Sequence, residues 1–142
     1  MRITADTNVL LRAILDDHAT QSPRAQAALR DAEIVAISLI TLCEFVWVLR
    51  QGYKRTRPEI ASLLRAFLNT PNLSTDELAV EAGIALTDAG GDFADGVAAF
   101  EGRRLGGTSF ATFDRKAASL LDKSGTKVSL LDSTLDASNP HR

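Results

Sequence analysis

Met1-Arg2-Ile3-Thr4-Ala5-Asp6-Thr7-Asn8-Val9-Leu10-Leu11 is the stretch whose reading decides the fold. Met1 to Ala5 reads as a short strand, and Val9-Leu10-Leu11 with Ala13-Ile14-Leu15 reads as the helix after it. Asp6 and Asn8 therefore stand where a strand hands over to a helix. In open α/β sheets this edge is where ligands bind. Asp and Asn are also favoured helix caps. Taken alone, Ala5-Asp6-Thr7-Asn8 fits either role, and capping is the simpler one. The choice depends on whether other carboxylates arrive at the same edge.

At 142 residues the chain is expected to form one domain with a proper core, spanning residues 1–131 and followed by a polar tail over 132–142. The apolar fraction of 45% and charged fraction of 24% are ordinary for a globular chain. No apolar run is long enough for a transmembrane helix, so no membrane partner is expected. Met1 to Asp6 lacks the apolar core of a signal peptide, which makes a cytoplasmic location the expectation. The single cysteine, Cys43, excludes an internal disulfide and a cysteine-based metal site. Its neighbours Leu42 and Phe45 make it a core residue rather than a nucleophile. A net charge of −2 gives no overall basic field to attract nucleic acid. That counts against a simple nucleic-acid binder. It leaves open an enzyme that holds a phosphodiester through cations, which supply positive charge locally.

Working outward, Ser22-Pro23 looks like a helix start, with Pro23 at the first helical position. Ile34-Val35-Ala36-Ile37 is a continuous apolar run and reads as a buried strand. Ser38 caps the helix that follows, which stops on a glycine signal near Gly52-Tyr53. Glu44 is the only charged side chain between Ile34 and Leu49, set among Ile40, Leu42, Phe45, Val46 and Trp47. A lone carboxylate buried there is costly unless paired, hydrogen-bonded or metal-bound. The bland alternatives are a salt bridge to Arg50 or another basic residue, or a narrow exposed edge of the helix. Helices are next expected from Arg57-Pro58-Glu59 to about Leu68, and after a cap at Thr75 or Asp76 through Leu78, Val80, Ile84 and Leu86.

Asp92-Phe93-Ala94-Asp95 opens a further helix, with both acids near its positive end. A cap and a second carboxylate near the dipole explain the pair without any function, at a worth of about 1 to 2 kcal/mol. Thr108 to Phe113 alternates like a strand, Asp114 follows it, and a helix starts at Arg115. Lys127 to Leu131 reads as a last short strand. Asp6 and Asp114 thus hold equivalent places, each after a strand and before a helix. Clustered carboxylates repel by several kcal/mol at low effective dielectric, roughly as 332/(ε·r) predicts. A hard divalent cation with oxygen ligands removes that penalty. The chemistry implied is metal-assisted hydrolysis of a phosphodiester.

Ala5-Asp6-Thr7-Asn8, Ser38 to Glu44, Asp92-Phe93-Ala94-Asp95 and Ala111-Thr112-Phe113-Asp114-Arg115-Lys116 together resemble the PIN-domain family, most closely its VapC-type toxins of bacterial toxin–antitoxin pairs. The resemblance runs from about Arg2 to Leu131 and rests on the ordered set of motifs. It implies a three-layer α/β/α fold around a short-stranded parallel sheet. It also implies an endoribonuclease dependent on Mg²⁺ or Mn²⁺, a homodimer, and a cognate antitoxin protein as partner. By position, Asp6, Glu44, Asp95 and Asp114 correspond to the family's acidic quartet of catalytic metal ligands. Asn8 and Thr112 fall where the family keeps supporting polar residues. Asp92 matches an extra acidic position that is a ligand, a water-mediated ligand or only a cap. Gly96 departs from the pattern, at a cost of up to about 1 kcal/mol relative to Ala. Three other readings fit less well. A non-catalytic PIN-fold module for RNA or protein would ordinarily have lost an acidic position. A phosphate-accepting receiver domain needs an acidic pair after the first strand and a lysine after a late one. A phosphatase with an Asp-x-Asp nucleophile meets Asn8 at its second position.

Overall fold

A computed structural model describes residues 1–131; the polar tail expected over 132–142 lies outside them. The elements alternate as an α/β chain should. They are β1 (Arg2–Thr4), α1 (Thr7–Leu15), α2 (Gln21–Asp31), β2 (Ile34–Ala36), α3 (Leu39–Gln51), α4 (Arg57–Leu68), β3 (Leu73–Ser74), α5 (Glu77–Asp88), α6 (Phe93–Arg104), β4 (Phe110–Thr112), α7 (Arg115–Lys123) and β5 (Val128–Leu130). Short parallel strands were expected and are found, in a three-stranded ladder β1-β2-β3 and a two-stranded ladder β4-β5. The chain groups into two compact units, Met1–Val80 and the residues from Glu81 onward. No helix of the described residues is long and apolar enough to cross a membrane.

In the first unit β2 is the central strand, and Val35 within it is fully buried. Its neighbours stand in register as Thr4↔Ala36 and Ala36↔Ser74. Asp6, Ser38 and Asp76 each lie two residues beyond that row, so the chain leaves all three strands at one edge and turns into a helix there. Leu10 and Leu11 of α1, Leu42, Phe45, Val46 and Leu49 of α3, and Ile60 and Leu64 of α4 form the buried core. Each such side chain contributes about 1.5–3 kcal/mol of burial. Phe45 meets Phe67 with ring centroids 5.6 Å apart. The strand β3 gives no signal in the sequence because two residues carry no periodicity. It is held by Val35 N–H donating to Asn72 O at 2.7 Å and Ile37 N–H to Ser74 O at 2.9 Å.

One helix start differs from the expectation, and one helix stops where expected but by another backbone route. The helix α2 begins at Gln21, so Pro23 is its third residue rather than its first. The buried Ser22 accepts from the His18 N–H at 3.1 Å, and the His18 Nδ1 accepts from the Gln21 N–H at 3.0 Å, which closes the first turn early. Pro23 still sits where an N–H would have no intrahelical partner. At the end of α3, Gly52 is right-handed (φ −86°), and it is Lys54 that takes the left-handed conformation (φ 55°). Arg55 N–H then reaches back to Leu49 O at 2.9 Å.

In the second unit α7 packs against both β4 and β5. The core there is Leu86, Ala99 and Leu121, with Phe110, Leu120 and Val128 against it. Gly96 finds its reason in the contact of α6 with α5. A Cβ at Gly96 would stand 2.7 Å from Ala82 O, and one at Gly83 would stand 2.5 Å from the Phe93 ring. The two backbones approach too closely for any side chain, so the loss of helix propensity is offset by packing.

Candidate active site

In the first unit the site residues follow from two strand ends. Ala5 continues the ladder, donating its N–H to Ala36 O at 3.0 Å. Asp6 then takes extended dihedrals (φ −90°, ψ 174°), and its Oδ1 caps α1 by accepting from Val9 N–H at 2.9 Å. Thr7, the first residue of α1, donates its hydroxyl to Oε1 of Glu44. Asn8 is exposed, and the side-chain hydroxyl that bonds a candidate carboxylate in this turn is that of Thr7. Ser38 caps α3 as expected, accepting from Thr41 N–H at 3.3 Å.

Glu44 is not buried. It lies exposed on α3, in the company of Ile40 at 80% and Trp47 at 65% exposure. The apolar neighbours read from the sequence are thus divided between two faces: Leu42, Phe45 and Val46 point inward, and Ile40 and Trp47 share the outer face with Glu44. Of the two bland alternatives, the exposed edge is the one realised. Cys43 beside it is half-buried.

In the second unit Asp92 caps α6, accepting from Ala94 N–H at 3.3 Å. Asp95 sits in the first turn of α6 and is half-buried. Burial holds its carboxyl above the usual carboxylate range, and the negative charges of Asp92 and Asp114 push it further the same way. The structure therefore brings these three acids within electrostatic reach of one another. Asp114 caps α7, its Oδ1 accepting from Lys116 N–H at 2.9 Å and Ala117 N–H at 3.1 Å. Thr112 supports that cap through the backbone: its hydroxyl oxygen accepts from Asp114 N–H at 3.0 Å.

Capping uses only one oxygen of each carboxylate. Asp6 and Asp114 each satisfy their helix with Oδ1, and among the described residues Oδ2 takes no hydrogen bond. No group of three or more His, Cys, Asp or Glu side chains among the described residues is drawn together enough to hold a metal ion as it stands. The donor chemistry nonetheless suits a hard cation. All the acids present oxygen, and the mutual repulsion felt at Asp95 is the penalty a divalent ion relieves. The one contributor that sequence reasoning gave no separate role is Thr7. A threonine at a helix start looks like an ordinary small polar residue, and only the fold reveals its partner at Glu44.

A family model described as PIN domain matches residues 3–123. No curated protein matches the chain.

Proposed function

The chain belongs to the PIN-domain family, whose members are generally metal-dependent nucleases, and from that premise we propose that it is an endoribonuclease acting with Mg²⁺ or Mn²⁺. The observation that carries this reading is the matched placement of Asp6 and Asp114. Each stands two residues beyond the last residue of a parallel strand, caps the next helix with one carboxylate oxygen and keeps the other available. Asp6, Glu44, Asp95 and Asp114 are the proposed ligand set, in which Glu44 either binds the ion or orients the attacking water. A bound divalent ion supplies Lewis acidity toward the phosphate and makes water a better nucleophile at neutral pH.

The chain's own residues do the rest by positioning. Val9 N–H fixes Asp6, and Lys116 and Ala117 N–H fix Asp114, so neither carboxylate has to be ordered when substrate arrives. Thr7 aims Glu44 and Thr112 anchors the backbone of Asp114. Asp92 adds negative charge beside Asp95 and is either a further ligand or the cap alone. The resemblance to VapC-type toxins supports a toxin role, with a cognate antitoxin and a second copy of the chain as partners. The non-catalytic alternative draws no support from these positions, since all four acids are present. Cleavage of RNA that starts with Mg²⁺ or Mn²⁺, stops with EDTA and is lost in Asp6→Ala and Asp114→Ala is the test.

A further inference from the structure

The second unit carries a cleft at the far end of β4 from Asp114. The last turn of α6, the Gly106-Gly107 turn and the residues entering β4 and β5 surround a small open cleft of about 50 Å³. Arg103 and Lys127 line it, together with the hydroxyl-bearing Thr108 and Thr126 and the half-buried ring of Phe110. Neither cation is engaged in an ion pair among the described residues, whereas Arg2, Arg12, Arg30 and Arg55 all are. Gly102 also lines the cleft, and a Cβ there would meet no atom within 4 Å. Helix-dipole complementarity accounts for Arg103 in the last turn of α6. It does not account for Lys127, which comes from the other side, or for a glycine kept in a helix where nothing crowds it.

We propose that this cleft binds a phosphate group, with Arg103 and Lys127 supplying charge and the threonine hydroxyls supplying hydrogen bonds. The chain has no overall basic field, so two convergent cations beside hydroxyl donors are a local solution to holding an oxyanion. Ser109 and Asp114 are separated by a chain segment that spans at most about 18 Å. A single RNA strand whose scissile phosphate lies at the acids therefore has a second phosphate within reach of the cleft. This identification of the ligand as RNA rests on the ribonuclease reading; free phosphate is the other source of the same chemistry.

The test uses the full chain in EDTA, where binding is read without cleavage. The probes are a short fluorescein-labelled single-stranded RNA of mixed sequence, followed by anisotropy, and inorganic phosphate, followed by amide NMR shifts. The double variant Arg103→Ala/Lys127→Ala is expected to weaken RNA binding about five- to ten-fold and to lower the slope of log affinity against log salt by roughly 0.7 per removed charge. Gly102→Leu leaves the charge unchanged and improves helix propensity, so it should fold normally, fill the cleft and weaken RNA binding alike. Phosphate shifts at Gly107 and Thr108 that both variants abolish, with RNA affinity unchanged, would make free phosphate the ligand. Weakening by the charge variant alone would overturn the cleft in favour of a general field, and no response from either probe would overturn it outright. A protein that binds RNA here yet never cleaves it would sink the ribonuclease reading and leave the cleft standing.

Discussion

The hydroxyl of Thr7 donates to Oε1 of Glu44, joining residues 37 positions apart in the chain. It ties the first residue of α1 to the second turn of α3 and gives the exposed Glu44 a fixed orientation. Partners one step removed from an ion typically matter 10–100-fold, so Thr7→Val is expected to lower kcat by roughly that factor with little change in KM. Thr7→Ser keeps the hydroxyl and should retain most activity. Steady-state kinetics on the two variants checks this. Equal activity in Thr7→Val and the parent would remove Thr7 from the account.

Asp95 yields a prediction in pH. Its carboxyl lies above the usual range because burial, Asp92 and Asp114 disfavour the charged form. The folded state therefore holds the proton more tightly than the unfolded chain. The resulting cost to stability is absent well below the ordinary carboxylate value of 3.8 and fully present above the raised folded value. Asp95 keeps contact with water, which screens the charges and keeps that cost small. Asp95→Asn should abolish cleavage yet raise Tm by a few degrees at neutral pH, with the gain fading as pH falls through the carboxylate range. Thermal melts across pH, without divalent ions, are the check.

Divalent ions should reverse that cost. If Asp95 and Asp114 hold the cation, Mg²⁺ or Mn²⁺ at about 100 times its dissociation constant stabilises the parent by roughly 2.7 kcal/mol. Asp114→Asn should lose most of that upward shift in Tm, while Ca²⁺-free buffer with EDTA returns the parent to its starting value. A shift of the same size in both proteins would place the ion elsewhere.

Much of this was legible in the sequence. Ile34-Val35-Ala36-Ile37 declared its strand through apolar continuity, and Ser38, Asp92 and Asp114 declared helix starts through their capping chemistry. What escaped was relational. Apolar content around Glu44 does not say which face of α3 meets the core, and Ile40 and Trp47 lie exposed beside it. The same blindness hid the exposure of Leu78 on α5, at 59%. Gly96 looked like a weak point because its partner, Gly83 on α5, lies thirteen residues earlier and packs against it only in the fold.

Gly96 and Gly102, both on α6, predict opposite outcomes for one substitution. Gly96→Ala drives a methyl into Ala82 O and should destabilise by about 1–3 kcal/mol despite better helix propensity. Gly102→Ala meets open space and should stabilise by up to about 1 kcal/mol. Chemical denaturation of both variants separates the effects, and a stabilising Gly96→Ala would show that α5 and α6 are not packed as described.

The central claim is that Asp6 and Asp114 are ligands as well as caps. Its most direct measurement is RNA cleavage by the purified parent, Asp6→Ala and Asp114→Ala, each with Mg²⁺, with Mn²⁺ and with EDTA. Cleavage is expected from the parent only, in either metal and never in EDTA. Undiminished cleavage by both variants, or by the parent in EDTA, would contradict it.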